Sequence, residues 1–394
     1  MKFSKLVERL QGKRTSAWEI HYAAQRAQAE GEDVIILSVG DPDFATPAPI
    51  VERAVAALQG GDTHYSEVAG RPALRAALAR EHARATGCEV TMDNVIVTAG
   101  AQNGLYAVAQ CICEAGDEVI VPEPMYLTYE ASVRASGATL VSVPVDPVRG
   151  FHLELARLEA AITPRTKAIF FATPCNPTGA VMPRADLEAI ARLARQHDLW
   201  VLADEVYADL VFEREHVSIA SLEGMAERTI TLGSFSKSHA MPGWRVGWAV
   251  APASLVEHLE RLALCMLYGL PGFIQEGALA GLEQREQMVS TMRDVYRRRR
   301  DVVYERLSRV PGLRCLLPEA GMFMMVDVRG TGLDTHAFTW QLFHAQKVSL
   351  LDASAFGDTA QGFVRFGFVV DETRLVDACE RIASFVASLE AVDA

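Results

Sequence analysis

Six lysines occur in the chain, at positions 2, 5, 13, 167, 237 and 347. Lys237 stands apart, in TITLGSFSKSHAMPGWRVGW, just past an apolar run, among serines and glycines and away from carboxylates. Desolvation lowers the pKa of an amine and frees its lone pair, so a lysine in that setting suits a nucleophile. Its own context fits a plain solvent lysine equally well. The neighbours add to the case. Ser234 and Ser236 offer hydroxyls, and Arg245 follows between Trp244 and Val246. An arginine embedded in apolar sequence needs an anionic partner, and its planar fork suits a phosphate as well as a structural salt bridge.

Three further segments bear on the same chemistry. The segment 95–104, VIVTAGAQNG, reads as a strand, a small-residue turn and a helix start. Exposed amides and the dipole at such a helix N-terminus bind phosphate, although strand–Gly–helix turns are also common packing devices. The pattern is neither Gly-x-Gly-x-x-Gly nor a Walker loop, which gives nucleotide binding little support. The run LWVLADEVY carries Asp204 at its strand end. A carboxylate there must be paired, either by a protonated ring nitrogen of a cofactor or as a helix N-cap. In TPCNPTG, 173–179, turn chemistry sets the Asn176 amide at the carboxyl edge of a sheet, where open α/β sheets bind ligands. A strand-end lysine, a nearby arginine, an acid after a buried strand and a Gly turn converge on pyridoxal 5′-phosphate. That cofactor needs a Schiff-base lysine and a partner for its pyridinium nitrogen.

These groups require a frame. Apolar runs at 95–98, 118–121, 139–145, 167–173, 199–203, 229–232 and 246–251 alternate with helical patterns at 102–113, 126–135 and 184–196. Continuous apolar strands between amphipathic helices predict an α/β fold, with a mostly parallel sheet covered on both faces by helices. The large domain is expected at 48–285, and a smaller α+β domain at 1–47 with 286–394. Within the latter, 291–307 reads as one long helix. Its four arginines at 297–300 read as a solvated face beside Asp294, Asp301 and Glu305. With 394 residues, 50% apolar and 22% charged, the chain is globular and long enough for two domains. A net charge of −12 argues against nucleic-acid binding. Seven cysteines without a Cys-x-x-Cys pair argue against a disulfide framework, and no metal site is expected. No apolar run approaches the roughly 20 residues of a membrane span, and the N-terminus lacks a signal peptide. A cytoplasmic protein without membrane contact is the expectation.

The ordered motifs GAQNG, PMYLTY, NPTG, DEVY, SFSKSHAMPGWRVG and VRFGF resemble those of the class I, fold-type I aminotransferases over essentially the full chain. The resemblance implies pyridoxal 5′-phosphate as cofactor, bonded to Lys237, which also shuttles the proton of the substrate's α-carbon. It implies that Asp204 keeps the pyridine nitrogen protonated, that Asn176 and Tyr207 bond the phenolic oxygen, and that Tyr126 stacks on the ring. Gly100, Ala101, Gln102, Ser234 and Arg245 match phosphate-binding positions. Tyr65, in THYSEVAGRPALR, matches a tyrosine that reaches the phosphate from the neighbouring subunit, implying a homodimer with shared active sites. Arg365 matches the arginine that grips the substrate α-carboxylate, with Gly40 of SVGDPDF as a backbone donor and Asn176 beside it.

The family moves the amino group of an L-amino acid to a 2-oxo acid in ping-pong fashion. Members specific for dicarboxylates place a partner-subunit arginine where this chain reads LCMLYGLPGF, and no arginine lies between Arg261 and Arg285. The segments LALCMLYG, SKSHAM, EPMYLTYE, GDPDF and EIHY resemble the arginine–pyruvate transaminases of bacterial arginine catabolism. Arginine is therefore the expected donor and pyruvate the expected acceptor, with Glu19 and Asp43 as acceptors for the guanidinium at the pocket mouth. An apolar pocket of Met266, Leu267 and Tyr268 would favour aromatic or aliphatic donors instead. Two other readings use the same scaffold: a carbon–sulfur lyase, and a non-catalytic cofactor-binding regulatory protein. The lack of a DNA-binding extension counts against the second.

Overall fold

A computed structural model describes residues 2–10 and 18–390. Its strands are β1 (Ile35–Ile36), β2 (Val95–Thr98), β3 (Glu118–Glu123), β4 (Thr139–Pro144), β5 (Thr166–Ala172), β6 (Trp200–Asp204) and β7 (Thr229–Ser234). They continue as β8 (Gly247–Val250), β9 (Arg314–Leu316), β10 (Phe323–Asp327), β11 (Val348–Ser349), β12 (Leu351–Asp352) and β13 (Phe363–Gly367).

The large sheet has the order β2-β8-β7-β6-β5-β3-β4. Only β8 runs against its neighbours; the pairs from β7 across to β4 are parallel. The two-residue period of a strand sorts its side chains onto two faces. Phe170 and Leu202 pack with Leu105 and Val108 of the helix Ala101–Ile112, while Ile169, Phe171, Val201 and Ala203 pack with Leu187 and Ile190 of the helix Arg184–Gln196. Burial on both faces explains why these strands read as unbroken apolar runs rather than as alternation.

A second sheet, β12-β13-β10-β9, is antiparallel. Strand β1 pairs in parallel with β11, Ile35 opposite Val348, so the N-terminal segment is stitched to the C-terminal part of the chain. The helix Arg285–Leu307 begins six residues before the expected start, because Met288 and Val289 already face the core. Its arginines also correct the sequence reading. Arg299 and Arg300 are buried, since the helical period puts them on the face of Met292, Tyr296 and Val303. Arg299 forks onto both Asp43 oxygens at 2.7 Å, and Arg300 onto Glu213 at 2.7 and 2.6 Å. Among the described residues no helix is long and apolar enough to cross a membrane, and none of their His, Cys, Asp or Glu groups forms a metal cluster.

Candidate active site

Four strand ends converge at the carboxyl edge of the parallel sheet, the edge at which α/β sheets take their ligands. Strand β2 turns through Gly100 into the helix Ala101–Ile112, and β5 runs into the turn carrying Asn176. Strand β6 ends on Asp204, and β7 ends on Ser234, from which the short helix Phe235–Ser238 presents Lys237. Strand β13 brings Arg365 from the other side. Together they border a cavity of about 280 Å³. Its walls include Gly40, Ala101, Gln102, Tyr126, Asn176, Asp204, Tyr207, Ser234, Lys237, Arg245 and Arg365. Gly100 lies just behind this wall, against Arg245. Tyr65 is elsewhere: it is 87% exposed, its ring 4.9 Å from that of Tyr268.

Among the described residues, the three charged groups at the heart of the cavity have no oppositely charged side chain in contact. The Lys237 ammonium donates to the Gly40 carbonyl, and burial pushes its pKa down to about 8, against a weaker pull upward from Asp41. The Asp204 carboxylate accepts from the Val206 amide at 3.2 Å and from the Tyr129 hydroxyl at 3.0 Å. Burial outweighs those two bonds and raises its pKa to about 6. The Arg365 guanidinium donates to the Asn176 side-chain oxygen at 2.9 Å and to the Ser38 carbonyl at 3.0 Å, with the rings of Phe323 and Phe356 each 5.2 Å away. Its buried Nε has no partner, and burial lowers its pKa to about 10. An amine, an acid and a guanidinium held this way are each set to receive a group that carries the missing charge.

The turn after β2 is shaped around Arg245. Gly100 has φ +78, and a Cβ there would lie 2.6 Å from Arg245 Nη2. Gly247 is constrained as well, since its Cβ would stand 2.7 Å from the Ala101 amide nitrogen. Arg245 is tied by Nη1 to the Pro242 carbonyl at 2.9 Å, and the Ser234 hydroxyl accepts from the Ser236 amide at 3.1 Å. A guanidinium, two serine hydroxyls and a helix N-terminus thus face one hollow, an arrangement that suits a phosphate.

Some residues escaped the sequence reading. Tyr129, fully buried against Asp204, lies in the first turn of the helix Thr128–Ser136 with its ring 6.0 Å from that of Tyr126; its place in the PMYLTY motif was the available signal. Trp18 lines the cavity mouth and carried no motif. Other expectations are corrected. Asp43 is committed to Arg299 and is not free to receive a guanidinium. Glu19 is exposed and does not line the cavity. Met266, Leu267 and Tyr268 are exposed on this chain's own surface, with Tyr268 against Tyr65, in the segment that faces the partner subunit's site in the dimer the resemblance implies.

Comparison with known proteins reaches the same chemistry from another direction. The sequence pattern described as aminotransferase class I and II matches residues 32–382. The chain is 52% identical over 389 residues to arginine–pyruvate transaminase AruH of Pseudomonas aeruginosa, covering 99% of each. It is 37% identical over 355 residues to aromatic-amino-acid aminotransferase 2 of Thermococcus litoralis, covering 89% of this chain and 91% of that one. Among solved structures, aspartate aminotransferase of Thermus thermophilus with maleate superposes with a TM-score of 0.93 at 34% identity, over 98% of this chain and 100% of that one. With the fold, the sheet-edge cavity and the full-length match in agreement, the chain belongs to the class I and II aminotransferases, an α/β enzyme of the fold-type I group.

Proposed function

We propose that this aminotransferase works with pyridoxal 5′-phosphate, takes arginine as donor and pyruvate as acceptor, and acts as a homodimer. One observation carries the cofactor reading: Lys237, Asp204 and Arg365 border a single cavity, and among the described residues none of them touches an oppositely charged side chain. The turn at Gly100 supports it, since a Cβ there would lie 2.6 Å from Arg245 Nη2 and push aside the guanidinium that suits a phosphate. When bound, pyridoxal 5′-phosphate supplies an aldehyde for amines and a ring that withdraws electrons from the substrate α-carbon.

The chain's own residues supply the rest. Arg245, Ser234, Ser236 and the amides of Ala101 and Gln102 hold the phosphate, and Tyr126 covers the ring face. Asn176 and Tyr207 hydrogen-bond the phenolic oxygen. Asp204 holds a proton on the ring nitrogen; a cation beside it lowers a carboxyl pKa, so it is ionised at neutral pH. Arg365 binds the α-carboxylate, with Asn176 and Gly40 fixing the orientation. Lys237, whose pKa of about 8 leaves part of it as free amine near neutrality, would take the proton from the substrate α-carbon and deliver it across the amino nitrogen to the carbon that was the cofactor's aldehyde. Regenerating the starting form with a 2-oxo acid makes the cycle ping-pong.

The donor and acceptor rest on the relative at 52% identity, whose name states both. A steady-state screen of arginine, lysine, phenylalanine, leucine and aspartate against pyruvate and 2-oxoglutarate tests them. Arginine with pyruvate is expected to give the highest kcat/KM; a tenfold preference for phenylalanine or leucine, about 1.4 kcal/mol in transition-state binding, would remove the arginine reading and leave the aminotransferase in place. The dimer reading has its own support. Val51, Val55, Leu58, Leu264, Met266, Leu267 and Tyr268 are apolar and exposed, and Tyr65 stands against Tyr268. Apolar surface of this kind marks a contact with another protein surface. Mixing Lys237→Ala with an impaired Tyr65 variant is expected to restore part of the activity, because one site in each mixed dimer is then intact. We place the large domain at 48–285 and the small one at 1–47 with 286–394.

A further inference from the structure

The mouth of the cavity poses a problem for a cationic donor. Among the described residues, Asp204 is the only carboxylate on its walls, and that group lies against Tyr129 at the sheet edge. Asp43 is paired with Arg299, and Glu19 is off the wall. Of the wall residues that this chain supplies and that have no part in holding the cofactor, Trp18 and Phe356 are the aromatic ones. Of these, Phe356 lies against Arg365, whose place is at the α-carboxylate. Trp18 is the other aromatic, 36% exposed, so one face can meet the donor while the surroundings stay wet.

Trp18 is also held in place relative to Arg365. Its ring meets the edge of His21 at 6.0 Å, His21 Nδ1 lies 3.1 Å from the Ser38 hydroxyl, and the Ser38 carbonyl accepts from Arg365 at 3.0 Å. Burial keeps the His21 pKa below its usual value, so a neutral imidazole backs the indole and does not repel a cation. A planar guanidinium stacks on an indole face, which is the strongest of the aromatic faces for cations.

We propose that Trp18 is the specificity residue of this site, its indole face receiving the guanidinium of the donor while Arg365 holds the carboxylate. The inference rests on the arginine reading above. It replaces an acid at the pocket mouth with an aromatic wall.

The test uses the holoenzyme and two measurements. The first is calorimetric binding of a guanidino fatty acid that keeps the carboxylate and guanidinium of arginine but has no amine to react. Hexanoate, with the carboxylate alone, is the control. Trp18→Ala is expected to weaken the guanidino ligand by about tenfold, in the range of a partly hydrated cation–π contact, and hexanoate by less than about threefold. Trp18→Phe is expected to regain part of the loss. The second is the single-turnover half-reaction with arginine, with its neutral isostere citrulline and with alanine. The ratio of arginine to citrulline should fall in Trp18→Ala, and alanine should change little. Equal losses for all ligands, or no loss for the guanidino ligand, would overturn the role of Trp18. A wild-type enzyme that binds the guanidino ligand no better than hexanoate and ignores arginine would overturn the donor reading itself.

Discussion

Two sets of buried guanidinium groups sit in this molecule and differ in what surrounds them. On the helix Arg285–Leu307, Arg299 and Arg300 end on carboxylates, Asp43 and Glu213, with bidentate geometry. On β13, Arg365 ends on an amide oxygen, a backbone carbonyl and two ring faces, with its Nε unpartnered. The first pair is closed: each charge is neutralised inside the fold, and the helix is fixed to distant segments. The second is open, and so are Lys237 and Asp204 in the same cavity. Folding bears the desolvation of an open charge, and a bound ligand recovers it. A buried charge is therefore informative about function when its partner is missing.

Substitutions at the open and closed groups should separate along that line. The largest effect is expected at Lys237. Lys237→Ala should reduce turnover by about four orders of magnitude and abolish the visible absorption band of lysine-bound cofactor, with no loss in the melting temperature of the cofactor-free protein. A variant that keeps near-normal multiple turnover would break the comparison at its centre.

Arg365→Met should raise KM for amino acid and oxo acid by about a hundredfold, as expected for a lost charged pair, and hold or raise the melting temperature. Arg299→Met should do the reverse, lowering the melting temperature by several degrees because Asp43 loses its counter-charge, with KM little changed in the folded fraction. Calorimetric melting and steady-state kinetics on the same preparations check both arms. Equal destabilisation by the two would erase the distinction between open and closed groups.

Asp204→Asn gives a pH-dependent version of the test. The folded pKa is raised from 3.8 to about 6, so burial of this acid costs nothing below the unfolded pKa, where both states are protonated. The cost grows between the two values and is complete above about pH 6. The cofactor-free variant should therefore melt higher than wild type at pH 8 and match it near pH 3. With cofactor present, the same variant should lose the rate of α-hydrogen exchange. Identical melting at pH 8 would mean that Asp204 carries no uncompensated charge.

The smallest effect is expected at Tyr129. Tyr129→Phe removes one hydrogen bond to Asp204, about 1 kcal/mol, and should lower kcat by about fivefold. The carboxyl pKa should move upward with it, shifting the acid limb of the kcat profile to higher pH. An unmoved profile would make Tyr129 a packing residue only.

Much of this was legible in the chain. The strands β2, β3, β5, β6 and β7 announced themselves because burial on both faces leaves a continuous apolar run, and helices such as Arg184–Gln196 because only one stripe faces the sheet. Lys237 and Asn176 were visible because each follows a strand end by a few residues, Asp204 because it ends β6 itself and Arg245 because it stands two residues before β8, local relations that sequence preserves. What escaped depended on partners far along the chain. Arg299 meets Asp43 across 256 positions, and Tyr129 meets Asp204 across 75. Nothing in the neighbourhood of either residue records that meeting, so RRRR read as solvated when half of it is buried.

The sequence by itself determined the order of strands and helices and the chemical inventory of the site, since both follow from short-range periodicity and turn chemistry. Tertiary structure alone decided which charges are closed and which are open, that Asp43 belongs to Arg299, and that Trp18 stands at the cavity mouth. The physical reason is that a charge's surroundings are set by whatever the fold packs against it, and in this molecule those groups arrive from segments that local sequence does not connect.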